Sequence, residues 1–279
     1  MLTVIIPANN EESYLGACLD ALLDQSLEAI RAGGVEVIVS ANACTDRTVE
    51  IAEGYVPRFA EKGWALVVLD SPEGGKTGAL NRADATARGD MRAYLDADVI
   101  CAPELLEKLH AALDTETARY SSGRLQLAPA KTWATRKFGQ LWSKLPFMTT
   151  GVPGAGLFAV NAAGRARWGD FPKIISDDGY VRLLFAPEER VLADAPYSWP
   201  LVEGFGQLVK VRRRQDAGMA EIAETYPEII GNDPRPPITR ADYLKLFLGQ
   251  PVSFLVYISV IVNVRFGPKQ TTADWSRGR

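Results

Sequence analysis

Met91-Arg-Ala-Tyr-Leu95 runs directly into Asp96-Ala97-Asp98, and Val99-Ile100-Cys101 follow at once. The apolar-rich run has the length of a strand, and two carboxylates close it. Alternation along an extended chain points residues i and i+2 the same way, so both acids are expected to leave the sheet toward one place. Such a pair suits a hard divalent cation. Mg²⁺ commonly takes only one or two protein carboxylates and fills its other positions with water and phosphate oxygens.

Working outward, the same grammar repeats. Leu2 to Ile6 is a β-branched run closed by Pro7, and Leu15, Cys18, Leu19, Leu22 and Leu23 follow at helical spacing. Asn9 or Asn10 is expected to cap that helix, with Glu11 and Glu12 in its first turn. Val35 to Val39 reads as the second strand, and Thr45-Asp46 opens a helix carrying Val49 and Ile51. Trp64 to Leu69 reads as a third strand, and a third helix follows Gly74-Gly75. Pro103 suits the first position of the helix bearing Leu105, Leu106, Leu109 and Leu113.

Strands alternating with helices imply a parallel sheet covered on both faces, with ligands bound beyond the carboxyl ends of its strands. The suggestive polar residues lie in the loops after all four strands: Asn9 to Glu11, Asn42 to Asp46, Gly74 to Lys76, and Asp96 with Asp98. Further on, Gly123 to Ala128 reads as a strand, Thr132 to Lys144 as a helix, and Gly154 to Val160 as glycines leading into a strand. Asp177-Asp178 precedes an apolar helical stretch, Pro234 to Pro237 reads as a linker, and Tyr243 to Phe266 is strongly apolar.

Composition sets limits on function. With 279 residues, 47% hydrophobic and 23% charged, the chain has the make-up of a globular enzyme. A net charge of −3 argues against general nucleic-acid affinity, although Lys210, Arg212, Arg213 and Arg214 cluster locally. Three cysteines, Cys18, Cys44 and Cys101, form neither a Cys-x-x-Cys pair nor an even set, which points to a reducing cytoplasm. The opening residues lack a basic and then apolar leader pattern, so no secretory signal is expected ahead of the first strand. His110 falls within a helical pattern and reads as structural.

Six elements in order carry a likeness: Ile6 to Glu11, Asn42 to Asp46, Gly75 to Asn81, Asp96 to Asp98, Gly154 to Gly156 and Asp177-Asp178. Together they resemble the family 2 inverting glycosyltransferases, over roughly residues 2 to 216. The resemblance implies an α/β, GT-A-type fold, with a mostly parallel central sheet flanked by helices. It implies a catalytic domain over residues 1–216 and a helical appendage over 217–279. It also implies a nucleotide diphosphate sugar as donor, a UDP-sugar favoured, and Mg²⁺ or Mn²⁺ as cofactor.

By that likeness Pro7, Asn9 and Glu11 form the first nucleotide loop, and Lys76 neutralises the diphosphate. Asn42 stands where many relatives carry an Asp that reads uracil N3–H; an amide both accepts and donates, so the base stays open. Asp46 is either a second nucleotide residue or a cap-region acid that orients its loop. Asp98 is the metal ligand, and Asp96 reaches the ribose or a metal-bound water. Asp178 is the general base, with Asp177 its like-charged neighbour; the structural alternative has Asp177 capping a helix. Gly154, Ala155 and Gly156 would let acceptor and donor sugar approach the backbone.

Gln207 to Gln215 resembles a variant of the family's Gln-x-x-Arg-Trp element without the Trp, which offers Arg213 or Arg214 to the diphosphate. Trp168 and Trp199 either stack on a sugar or pack in the core. Pro251 to Val262 is too short to span a bilayer, which needs about 20 apolar residues. With Arg265, Lys269, Arg277 and Arg279 nearby, it suits a membrane surface, a buried helix or a homodimer contact. The acceptor expected from the likeness is a saccharide or a lipid-linked one, handled at the cytoplasmic face of a membrane. A sugar-phosphate nucleotidyltransferase and a non-catalytic assembly subunit are the competing readings.

Overall fold

A computed structural model describes residues 1–26, 34–233 and 236–267. Pro234 and Arg235 of the expected linker, and Lys269, Arg277 and Arg279, lie outside the described residues. The strands are β1 (Leu2–Ala8), β2 (Val35–Asn42), β3 (Ala65–Ser71), β4 (Met91–Leu95), β5 (Ile100–Cys101), β6 (Tyr120–Leu127), β7 (Leu157–Val160) and β8 (Arg190–Trp199). The helices are α1 (Leu15–Leu23), α2 (Thr48–Glu61), α3 (Lys76–Thr86), α4 (Leu105–Leu113), α5 (Trp133–Trp142) and α6 (Pro146–Thr149), then α7 (Ala162–Arg165), α8 (Asp177–Leu183), α9 (Phe205–Thr225), α10 (Arg240–Gly249) and α11 (Pro251–Phe266).

The chain forms two compact units that are discontinuous in sequence, whereas the expected division was linear at residue 216. One unit comprises Met1–Gln126, Gly154–Lys173 and Asp177–Trp199; the other comprises Leu127–Pro153, Ile174–Ser176 and the chain from Pro200.

The first unit carries the sheet, in the order β3-β2-β1-β4-β7-β6-β8-β5. Its first four strands are parallel, as the alternation of strands and helices requires. From β4 onward the pairing turns antiparallel, with Leu95 opposite Leu157. Leu2, Val4 and Ile6 of β1 and Val35, Val37 and Val39 of β2 join α1, α2 and α4 in one core. Alternate residues Ile5 and Ile38 are equally buried, and α3 packs on β1 and β2. Burial on both faces explains why these strands read as near-continuous apolar runs. Pro7 sits beyond the last β1–β4 pair, Ile5 with Tyr94, where a missing N–H is tolerated.

The sheet's amino end is closed by a buried carboxylate. Glu36 accepts hydrogen bonds from Thr3 Oγ1 at 2.9 Å and from the Arg88 backbone N–H at 2.9 Å and Nε at 2.6 Å.

Two local expectations are corrected. The first helix begins at Leu15, not beside Asn9 or Asn10, because those side chains are engaged with the next loop and Glu11 and Glu12 precede the helix. The acidic triplet is a turn rather than the end of a strand. The Val99 N–H donates to the Asp96 carbonyl at 3.1 Å, so Asp96 and Asp98 are aimed by a turn between β4 and β5.

The second unit is helical. Thr132 caps α5 by accepting the Thr135 N–H, and Glu203 accepts the Lys131 and Thr132 N–H groups at 2.7 and 2.9 Å. α11 packs on α5 and α9, with Tyr257 and Phe138 rings 5.5 Å apart. Among the described residues no helix is long and apolar enough to cross a membrane.

Candidate active site

The first unit gathers its polar loops at the carboxyl ends of β1, β2 and β4. The loops after β1 and β2 are laced together. Asn9 Nδ2 donates to the Asn42 and Ala43 carbonyls at 2.5 and 3.1 Å, and Asn10, at φ +53°, accepts the Thr45 N–H at 2.6 Å. The Asp46 carboxylate accepts from the Thr48 N–H and hydroxyl at 3.0 and 2.6 Å and from the Glu12 N–H at 3.2 Å. Asp46 therefore orients its loop. Glu11 donates its N–H to Thr48 Oγ1 at 2.6 Å. Asn42 is 1% exposed, and its Nδ2 has no hydrogen-bond partner among the described residues.

Gly75 precedes α3 at φ +115°, a conformation that favours glycine, and its turn delivers Lys76 as the first residue of α3. Lys76 Nζ reaches Asp96 Oδ1 at 2.9 Å and Asp177 Oδ2 at 3.2 Å. Burial would lower the pKa of that ammonium, but the Asp177, Asp96 and Asp178 carboxylates outweigh it and hold it well above the usual lysine range. Asp177 is pushed up to about 6, by burial first and then by Asp178 and Asp96, with Lys76 opposing.

Asp177 and Asp178 both lie in the first turn of α8, where the helix dipole favours anions, and Asp178 Oδ1 accepts the Gly179 N–H at 2.7 Å. One pocket is lined by Pro7, Lys76, Asp96, Asp177 and Asp178, with Leu80, Tyr94, Leu95, Gly156 and Phe158 as its remaining wall. Asp98 follows Asp96 by two residues in the same turn and is partly buried.

Gly154 and Gly156 are demanded by their surroundings. Both have positive φ, +71° and +74°. A Cβ on Gly154 would fall 1.7 Å from the Tyr120 hydroxyl, and one on Gly156 would fall 2.5 Å from Trp199 Cδ1. The Tyr197 hydroxyl donates to the Ala155 carbonyl at 2.7 Å, and the Gly156 carbonyl accepts the Asp96 N–H at 2.8 Å, which ties this loop to the acidic turn.

Other sequence candidates resolve into structure. Asn81 clamps the Phe171 backbone, accepting its N–H at 2.7 Å and donating to its carbonyl at 3.2 Å. Trp168 is buried against Tyr94 and Phe171, so it packs in the core. Trp199 is the wall behind Gly156. Arg213, in the second unit, donates to the Asn263 carbonyl and, at 3.3 Å, to that of Val264, closing the last turn of α11. Arg212 pairs with Asp216 one turn on at 2.8 Å. Sequence reading missed the Lys76–Asp177 contact, because 101 positions of chain separate two residues that only the folded sheet brings together.

The family model described as glycosyl transferase family 2 matches residues 3–166. The chain is 29% identical over 156 residues to an uncharacterized glycosyltransferase, YibD, of Escherichia coli (strain K12), covering 54% of this chain and 40% of that protein. It is 36% identical over 116 residues to the dolichyl-phosphate beta-glucosyltransferase of Drosophila melanogaster, covering 40% and 35%. Matched segments thus span well under half the length of these relatives.

Among solved structures, the mannosyltransferase PcManGT from Pyrobaculum calidifontis, in complex with GDP-Man and Mn²⁺, superposes with a TM-score of 0.59 at 20% identity, covering 96% of this chain and 76% of that one. S. aureus TarS 1–349 in complex with UDP-GlcNAc gives 0.53 at 16% identity, covering 100% and 95%. These likenesses make the fold that of the GT-A glycosyltransferases.

Proposed function

Because the chain belongs to glycosyl transferase family 2, we propose that it moves a sugar, with inversion at the anomeric carbon, from a nucleotide diphosphate sugar to an acceptor hydroxyl. The observation that carries this reading is the meeting of Lys76, Asp96, Asp177 and Asp178 in one pocket at the carboxyl ends of the strands. In this reading Asp178 takes the acceptor's hydroxyl proton while the new oxygen–carbon bond forms. The bond from the anomeric carbon to phosphate breaks, and its electron pair leaves with the nucleoside diphosphate. Lys76 turns from its carboxylates toward the departing phosphates, beside the N–H groups that open α3, where no side chain caps the helix.

The nucleotide would rest on Pro7, Asn9 and Glu11, with the buried Asn42 amide donating to an acceptor atom of the base. The Gly154–Gly156 stretch would face the sugars.

Asp98 and Asp96 are hard oxygen donors that suit Mg²⁺ or Mn²⁺. Among the described residues no group of three or more His, Cys, Asp or Glu side chains is arranged to hold an ion, so an ion here would share the donor's phosphate oxygens. When bound it supplies Lewis-acid stabilisation of the leaving diphosphate. For the acceptor we favour a lipid-linked saccharide or a growing surface polysaccharide.

A thermal-shift panel of UDP-, GDP- and dTDP-sugars with Mn²⁺, followed by product analysis, tests the reading. Stabilisation by one sugar nucleotide and release of nucleoside diphosphate are expected. Asp178→Asn should lower turnover about 10²- to 10⁴-fold and leave donor stabilisation in place. Release of pyrophosphate, or full transfer by both Asp98→Asn and Asp178→Asn, would overturn it.

A further inference from the structure

We propose that the outer face of α10 and α11 seats this protein on an anionic lipid bilayer. α10 contains Tyr243, Leu244, Leu246, Phe247 and Leu248, yet none of its residues is buried. Thr239 and Asp242 form a capping box at its start, and the Tyr243 and Phe247 rings meet Phe254 of α11 at 6.2 and 5.5 Å. Ten residues with no buried side chain fall short of what an isolated helix needs to persist in water. Leu244 and Leu248, one turn apart, are 57% and 71% exposed.

α11 is apolar on two opposite sides. Ser253, Val256, Tyr257 and Val260 form the buried side, where Ser253 Oγ lies 3.1 Å from Gln140 Oε1 of α5. Val252, Leu255, Val262 and Phe266 recur at helical spacing on the exposed side, Leu255 at 58% and Phe266 at 77%.

Charge decides the occupant. Among the described residues from 236 to 267 there are three Lys and Arg, namely Arg240, Lys245 and Arg265, against one acid, Asp242, in a chain whose net charge is −3. The Asp242 carboxylate is engaged by Thr239. Apolar side chains interleaved with Arg240, Lys245 and Arg265 match the boundary of a bilayer with anionic headgroups. A second copy of the chain, meeting this face about a two-fold axis, would bring two surfaces of the same net positive charge together. No described helix is long and apolar enough to cross a membrane, so the contact is one of lying on the surface.

The proposal is independent of the transfer reaction, and its test does not read turnover. The full chain is sedimented with phosphatidylcholine vesicles prepared with and without phosphatidylglycerol. Binding to the phosphatidylglycerol vesicles, weakened by salt, is expected, and Leu248→Glu combined with Leu255→Glu should lower it by at least about tenfold. Both positions are exposed, so an unchanged melting temperature serves as the folding control. Failure to bind anionic vesicles overturns the proposal, as does wild-type binding by the double variant. A dimer that the double variant dissociates, in a protein without vesicle affinity, overturns it in favour of a second copy.

Discussion

Lys76 Nζ lies 3.2 Å from Asp177 Oδ2, joining the first residue of α3 to the first residue of α8. The same ammonium holds Asp96 at 2.9 Å, so in the free protein it already offsets two of the three acids that line the pocket. In the proposed reaction, the donor's diphosphate would draw Lys76 away from those partners.

Lys76→Met should therefore weaken donor binding about tenfold or more, the worth of one charge-assisted hydrogen bond. Isothermal titration with a sugar nucleotide measures it. Unchanged affinity would mean that Lys76 serves only to hold α3 and α8.

Asp177 gives a pH signature of defined sign. Its carboxyl is raised to about 6 by burial and by its acidic neighbours, so the folded protein keeps a proton that the unfolded chain has lost above about pH 4. That group favours folding at low pH, and the contribution fades as pH rises through about 6. The urea midpoint of the wild type relative to Asp177→Asn should fall from about pH 4 to about pH 7. A flat or rising difference would contradict this account.

Gly156→Ala places a methyl 2.5 Å from Trp199 Cδ1 at a φ of +74°. A loss of about 1–3 kcal/mol in stability is expected. Adding Trp199→Ala should return only part of it, because the backbone strain remains after the clash is removed. Full recovery in chemical denaturation would show that the ring alone demands the glycine.

Glu36 tests the opposite end of the sheet. Burial would raise its carboxyl, but hydrogen bonds from Arg88 and Thr3, together with the Arg88 charge, hold it below the usual range. Its stabilising contribution is present above about pH 4.5 and is lost as pH falls through the depressed value. Glu36→Ala should cost about 1–3 kcal/mol at neutral pH and less in acid, while transfer per folded molecule stays unchanged. An equal loss at both pH values would show that packing, not charge, is at stake.

The parallel half of the sheet was legible because strands buried on both faces are written as largely apolar runs, and β1 and β2 fall where those runs do. Local signals fared less well where tertiary bonds competed with them. Asn9 and Asn10 are good helix caps by type, but the folded chain uses them to join the loops after β1 and β2. The acidic triplet was found by composition, whereas its turn depends on the Asp96–Val99 bond. Why residues 154 and 156 must be glycine is visible only once Tyr120 and Trp199 arrive from strands distant in the chain. The Lys76 bridge was invisible for the same reason: pattern reading assigns a lysine to a ligand and does not find the acids that hold it beforehand.

The lacing of Asn9, Asn10, Thr45, Asp46 and Thr48 has a practical corollary. Two loops sharing so many bonds hold each other in place, so on the proposed reading a nucleotide would meet a cradle that is already built. On that reading, a directed-evolution library confined to the surroundings of Gly154–Gly156 should retrain the protein toward a different sugar and leave its nucleotide preference intact.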